Sequence, residues 1–128
     1  MSLWTFKCFI SEFGVDYVGE WYENLPPKAQ AKLDTILEHF RDTPHTEWSS
    51  NHFFPLTGHE GIYEIRFRIN KVFFRPLGCF GPNRGEFTFL VGAREHGDDF
   101  EPRRAPETAD ERRITLSRHK ERARECSF

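Results

Sequence analysis

Arg66, Arg75 and Arg94 are the residues whose type and spacing most invite chemistry. Arginine presents a planar, permanently charged fork that fits phosphate oxygens two at a time. The first two lie in "IYEIRFRINKVFFR", residues 62–75, which reads as two strands about an Asn70-Lys71 turn. That register sets Ile69 against Val72, Phe67 against Phe74 and Ile65 against Pro76, an apolar face. Alternation then sends Glu64, Arg66, Arg68, Phe73 and Arg75 to the other face. A one-residue slip would bury charge, so the apolar pattern selects this register. Arg66 thus stands opposite Arg75, a like-charge pairing that is unfavourable where cross-strand pairs are worth about 0.2–1 kcal/mol.

On the next strand Phe87, Phe89, Val91 and Ala93 match the apolar face, while Thr88, Leu90, Gly92 and Arg94 share the arginine face. The expectation is an anion site where three arginines converge, with Gly92 admitting a ligand closely. The plainer alternative is a solvated face on which Glu64 neutralises a neighbouring arginine.

The positioning elements follow from periodicity. Residues 3–10, "LWTFKCFI", alternate as a strand. Residues 16–25 place Tyr17, Val18, Trp21, Tyr22 and Leu25 at helical spacing, and Leu25-Pro26-Pro27 ends that helix. A second helix over 28–40 lines up Ala29, Leu33, Ile36, Leu37 and Phe40, giving a helical hairpin. Residues 44–60 are irregular and hold His45, His52 and His59 without H-x-H or H-x-x-x-H spacing, so no metal is expected. Three strands follow, over 62–69, 72–79 and 86–94. Residues 108–125 read as a charged helix with few apolar anchors, weakly packed or partner-dependent.

At 128 residues, with 38% hydrophobic and 30% charged residues, the chain suits one domain over 1–128, with 104–128 its charged C-terminal helix and tail. The net charge of −2 argues against a generic nucleic-acid binder. The charge is nevertheless polarised, acidic over 11–50 and basic over 103–124. Cys8, Cys79 and Cys126 have no metal-ligand spacing and read as reduced thiols of a cytoplasmic protein. No secretory signal and no membrane-spanning run is apparent.

The order of elements and the strand motifs resemble the RelE/HigB-type toxins, in particular their phage-derived Gp49-like branch. "GIYEIRF" (61–67) is similar to that branch's strand of aromatic, Glu, aliphatic, Arg and Phe. "FTFLVGA" (87–93) resembles the strand before its basic segment, and "EPRRAPETADERR" (101–113) the lead into its last helix. The resemblance covers most of the chain. It implies a RelE-like α+β fold: N-terminal strand, helical hairpin, three-stranded antiparallel meander and C-terminal helix. It also implies a type II toxin that cuts mRNA on the ribosome and is held inactive by a helix-turn-helix antitoxin encoded nearby. By position Arg66 matches the family's strand arginine, and Arg75 fills a similar role. Arg94 falls at the first of a basic pair, where this chain reads Arg94-Glu95-His96.

Cleavage of this kind needs no metal or cofactor. A base takes the 2′-hydroxyl proton, that oxygen attacks the adjacent phosphate, and an acid protonates the leaving 5′-oxygen. Arg66, Arg75 and Arg94 are the expected electrostatic stabilisers. His96 is the expected acid/base, with Glu95 and His59 as alternatives. Arg68, Lys71 and Arg84 are expected to contact the RNA backbone. The partners on this reading are mRNA, the ribosome and the antitoxin, with a homodimer allowed and no membrane contact. The alternative is a non-catalytic, phage-related adaptor on the same fold, which the polarised surface and charged C-terminal helix suit.

Overall fold

A computed structural model describes residues 2–128, an α+β arrangement with three α-helices and ten strands among them. β1 (Thr5–Phe9) leads to α1 (Tyr17–Glu23), whose first turn is capped by Asp16 Oδ1 accepting the Gly19 N–H at 2.8 Å. α2 (Pro27–Arg41) starts on a proline, where no N–H is needed, and turns Leu33, Ile36, Leu37 and Phe40 inward. The Tyr22 hydroxyl donates to the Asp34 carboxylate at 2.9 Å and locks the two helices as a hairpin. The Trp48 indole N–H is shared between the Phe40 and Thr43 carbonyls at 3.0 Å, which closes the end of α2.

A short strand, β2 (Phe53–Pro55), forms in the segment expected to be irregular. Each of the three expected meander strands then breaks once, at a common level. Residues 62–69 become β3 (Tyr63–Ile65) and β4 (Phe67–Ile69), divided at Arg66. Residues 72–79 become β5 (Val72–Phe74) and β6 (Leu77–Phe80), divided at Arg75 and Pro76, which has no N–H to give a ladder. Residues 86–94 become β7 (Glu86–Val91) and β8 (Arg94–His96), divided at Gly92 and Ala93.

With β9 (Asp99–Glu101) and β10 (Ala123–Glu125) these make two sheets, ordered β10-β1-β7-β6-β3-β2 and β4-β5-β8-β9. β1 runs parallel to β7, and every other pairing is antiparallel. The β4–β5 turn falls where expected, with Asn70 and Lys71 at φ 49° and 70°, the left-handed pair a two-residue hairpin requires. Ile69 faces Val72 and Phe67 faces Phe74.

Two cores flank the strands. The hairpin covers Phe6, Ile65, Phe67, Phe74, Phe87 and Phe89, with Trp21 only half-buried at its margin. The opposite side is not left to solvent. α3 (Ala105–Arg118) packs there on β6 and β7, burying Ala105, Ala109 and Leu116 against Leu77, Leu90 and Val91. The weakly anchored helix expected over 108–125 is therefore corrected: it is docked, ends at Arg118, and gives way to a 3₁₀ turn and β10 on the edge of β1.

A bulge in β7 corrects the strand parity. Gly78 pairs with Phe89 but Leu77 pairs with Val91, which leaves Leu90 as an extra residue. Its carbonyl is taken by Arg112 Nη1 from α3 at 2.7 Å, and burial lowers the pKa of that guanidinium. Beyond Leu90 the faces exchange. Gly92 points into the hairpin side, where a Cβ would come within 2.2 Å of the Trp21 side chain, so it offers no space to a ligand.

The expectation of reduced thiols is overturned for two cysteines. Cys8 and Cys126 are joined in a disulfide that spans 118 residues and ties β10 to β1, while Cys79 is free and buried. Among the described residues no helix is long and apolar enough to cross a membrane.

Candidate functional site

The strand breaks carry the site. Arg66 is clamped through its backbone, its N–H donating to the His52 carbonyl at 2.9 Å and its own carbonyl lying 2.9 Å from His52 Nδ1. Arg75 donates its N–H to the Ala93 carbonyl at 2.8 Å. The two side chains leave adjacent strands on one face and meet on Glu64. Arg66 Nη2 lies 2.8 Å from Glu64 Oε1. Arg75 grips both oxygens, Nε to Oε2 at 2.6 Å and Nη2 to Oε1 at 3.2 Å. The Glu64 side chain is only 3% exposed, Arg75 12% and Arg66 35%. A carboxylate two residues from Arg66 thus separates the two opposed arginines.

Glu95 completes the group, with Oε1 3.4 Å from Arg75 Nη1 and its side chain one-third exposed. Aromatic rings floor both guanidiniums: Phe100 lies 4.0 Å below Arg75 and Phe54 4.8 Å below Arg66. Arg68 extends the face over Phe73, its partner across the β4–β5 ladder. Three guanidiniums face two carboxylates, so the patch keeps one positive charge.

These contacts divide the roles. Arg75 has three of its nitrogens engaged by carboxylates and can do little but hold them in place. Arg66 has one nitrogen engaged and an accessible side, so it can still receive phosphate oxygens. Glu95 is a carboxylate exposed enough to take a proton from a substrate.

The other expected residues lie elsewhere. The Leu90 bulge turns Arg94 to the face of its ladder partner Phe74, where its Nε meets Glu101 at 3.0 Å. The expected convergence of three arginines is therefore corrected to two. His96 is on that same far side, 79% exposed and 3.7 Å from Glu101. Glu95, between them, is the member of the triplet that reaches the arginine face. His59 is held against α3 by Asp110 and lies 3.8 Å from Glu107. Lys71 is exposed at the tip of the β4–β5 turn. Arg84 precedes β7 while the arginine face follows it, which separates them by roughly 20 Å at ~3.3 Å per residue.

Glu64 was legible as a neutralising neighbour, since it shares parity with Arg66. Phe54, Phe100 and His52 were not, because each arrives from outside the three meander strands. Among the described residues no group of three or more His, Cys, Asp or Glu is placed to hold a metal ion. Compared with known proteins, the chain matches no family model, no curated protein and no solved structure.

Proposed function

We propose that the protein is a RelE/HigB-type toxin, an endoribonuclease that cuts mRNA on the ribosome in the cytoplasm and is restrained by a helix-turn-helix antitoxin. The observation that supports this reading is the meeting of Arg66 and Arg75 on one face with Glu95 beside them. Arg66 binds the scissile phosphate and stabilises the charge that builds on it. Arg68 and Lys71 bind the flanking backbone. Arg75 is a positioning residue that fixes Glu64 and Glu95. Glu95 removes the 2′-hydroxyl proton, the freed oxygen attacks phosphorus, and the bond to the 5′-oxygen breaks to leave a 2′,3′-cyclic phosphate. The leaving oxygen takes its proton from solvent or the ribosome, so His96 and Arg94 have no part in the step.

A second reading, a non-catalytic adaptor, is favoured by one feature. A groove of about 940 Å³ runs between the hairpin and the apolar, hairpin-facing side of β4–β5, walled by Trp21, Leu25, Ile69, Val72 and Phe74. Inducible expression separates the two. The toxin reading expects growth arrest and shortened transcripts, both relieved by Arg66→Ala and by co-expression of a neighbouring helix-turn-helix gene. Normal growth with intact transcripts at high expression overturns it in favour of the adaptor.

A further inference from the structure

A second cavity lies on the α3 side of the molecule, away from the arginine face. It holds about 470 Å³ between the last turns of α3 and the ends of β3 and β6 near Gly61 and Gly81. Arg113 and Lys120 supply its charge, and Cys79, Leu116 and Pro82 line it. Neither cation takes part in a salt bridge among the described residues. Arg113 Nε is buried without any hydrogen-bond partner. A buried donor left unpaired is costly, and a buried charge more so.

The surroundings leave Arg113 unmatched. The acids on the two preceding turns of α3, Asp110 and Glu107, are both engaged with His59. The Cys79 thiol also lines the cavity, but burial pushes its pKa up to about 12 against the pull of Arg113, so it stays neutral. Gly61 sits at φ +84°, and a Cβ there would come within 3.3 Å of Arg113 Nε. Its missing side chain leaves the guanidinium its place across the cavity floor.

We infer that this cavity binds an organic phosphate monoester, as a free nucleotide or sugar phosphate or as the 5′-terminal phosphate of an RNA. The paired cations fit the phosphate, since both an arginine fork and a lysine ammonium serve that group. The space exceeds what inorganic phosphate fills and is of the size that takes a small organic molecule. Leu116 and Pro82 give it an apolar lining beside the two cations, while the Tyr63 and Phe80 rings turn to the hairpin-side core. The inference is independent of the toxin reading, because no residue of the arginine face lines this cavity.

Titration calorimetry on the full chain tests it, with uridine 5′-monophosphate, uridine, and ribose 5-phosphate as probes. Uridine 5′-monophosphate and ribose 5-phosphate should bind, and uridine should not. Arg113→Ala should weaken the nucleotide by about tenfold or more, the loss of one charge-assisted pair. Lys120→Glu, at an exposed position, should weaken it in a chain whose melting is unchanged, which guards against a folding defect in the Arg113 variant. Arg66→Ala should leave nucleotide binding intact. No binding to the wild-type chain overturns the inference, and so does full affinity in both cavity variants. Loss of binding on Arg66→Ala alone would assign the nucleotide to the arginine face and also overturn it. Competition by a short 5′-phosphorylated RNA, but not by its 5′-hydroxyl form, would support the inference with RNA as the source. Failure of both RNAs to displace a bound nucleotide would support it with the free nucleotide as the source.

Discussion

Arg75 donates from Nε to Glu64 Oε2 at 2.6 Å, on a carboxylate almost sealed from water. Both partners are buried, so neither can lose the other and turn to solvent. Removing one member of such a pair strands a charge in low dielectric, at about 3–5 kcal/mol. Glu64→Ala and Arg75→Ala should each lower unfolding stability on that scale, read by urea denaturation. The double variant should cost less than the sum. Arg66→Ala, at the more exposed pair, should cost less than about 1 kcal/mol. Equal losses at Arg66 and Arg75 would contradict the division of roles drawn between them.

The second prediction concerns the proton. Glu95→Gln should lower RNA cleavage by about 10²–10⁴-fold while RNA binding persists, because a proton-transfer group contributes on that scale. His96→Ala should cleave as the parent does. Initial rates on a ribosome-bound message decide between them. A large loss in the His96 variant, with Glu95→Gln fully active, would place the chemistry on the Arg94 face.

Arg112 is the third subject. It donates to the Leu90 carbonyl, which the β7 bulge leaves without a ladder partner. Arg112→Ala should leave that buried acceptor unpaired and cost about 1–3 kcal/mol. Arg112→Lys should recover only part, since a lysine lacks the planar reach. Amide exchange along β7 should quicken in both.

The Cys8–Cys126 bond gives the fourth. It closes most of the chain into one loop, and bonds of that kind stabilise by about 2–4 kcal/mol. Cys126→Ser should lower the melting temperature, and a dithiol reductant should do the same to the parent chain. Neither should unfold it, since β10 is a three-residue edge strand and Cys126 only packs at the margin of the hairpin-side core. Unfolding on reduction would contradict function in a reducing cytoplasm.

Much of this was legible in the residues, for stated reasons. The Asn70-Lys71 turn and the Phe67–Phe74 register follow from alternation, because only one parity buries the apolar set. The helical hairpin follows from Leu33, Ile36, Leu37 and Phe40 at helical spacing. The bulge at Leu90 was not legible. "FTFLVGA" is apolar on both sides, so alternation carries no mark of a slipped residue, and strict alternation puts Arg94 on the face opposite to the one it occupies. β10 was hidden because a charged edge strand and a charged helix look alike in composition. The Cys8–Cys126 pair was hidden because partners so distant in sequence leave no spacing to read.

Leu90 has one further consequence. A strand with an odd residue inserted deals the side chains after it like cards cut one place over. Delete Leu90 and the bulge closes with every later residue on its present face, whereas a loss between Val91 and Arg94 would bring Arg94 and His96 beside Arg75 and turn Glu95 away. The composition of the arginine face is therefore written in chain length as much as in residue identity. Single-residue loss just past the bulge would exchange a carboxylate for an imidazole and a guanidinium at the same spot, with every other letter of the sequence unchanged.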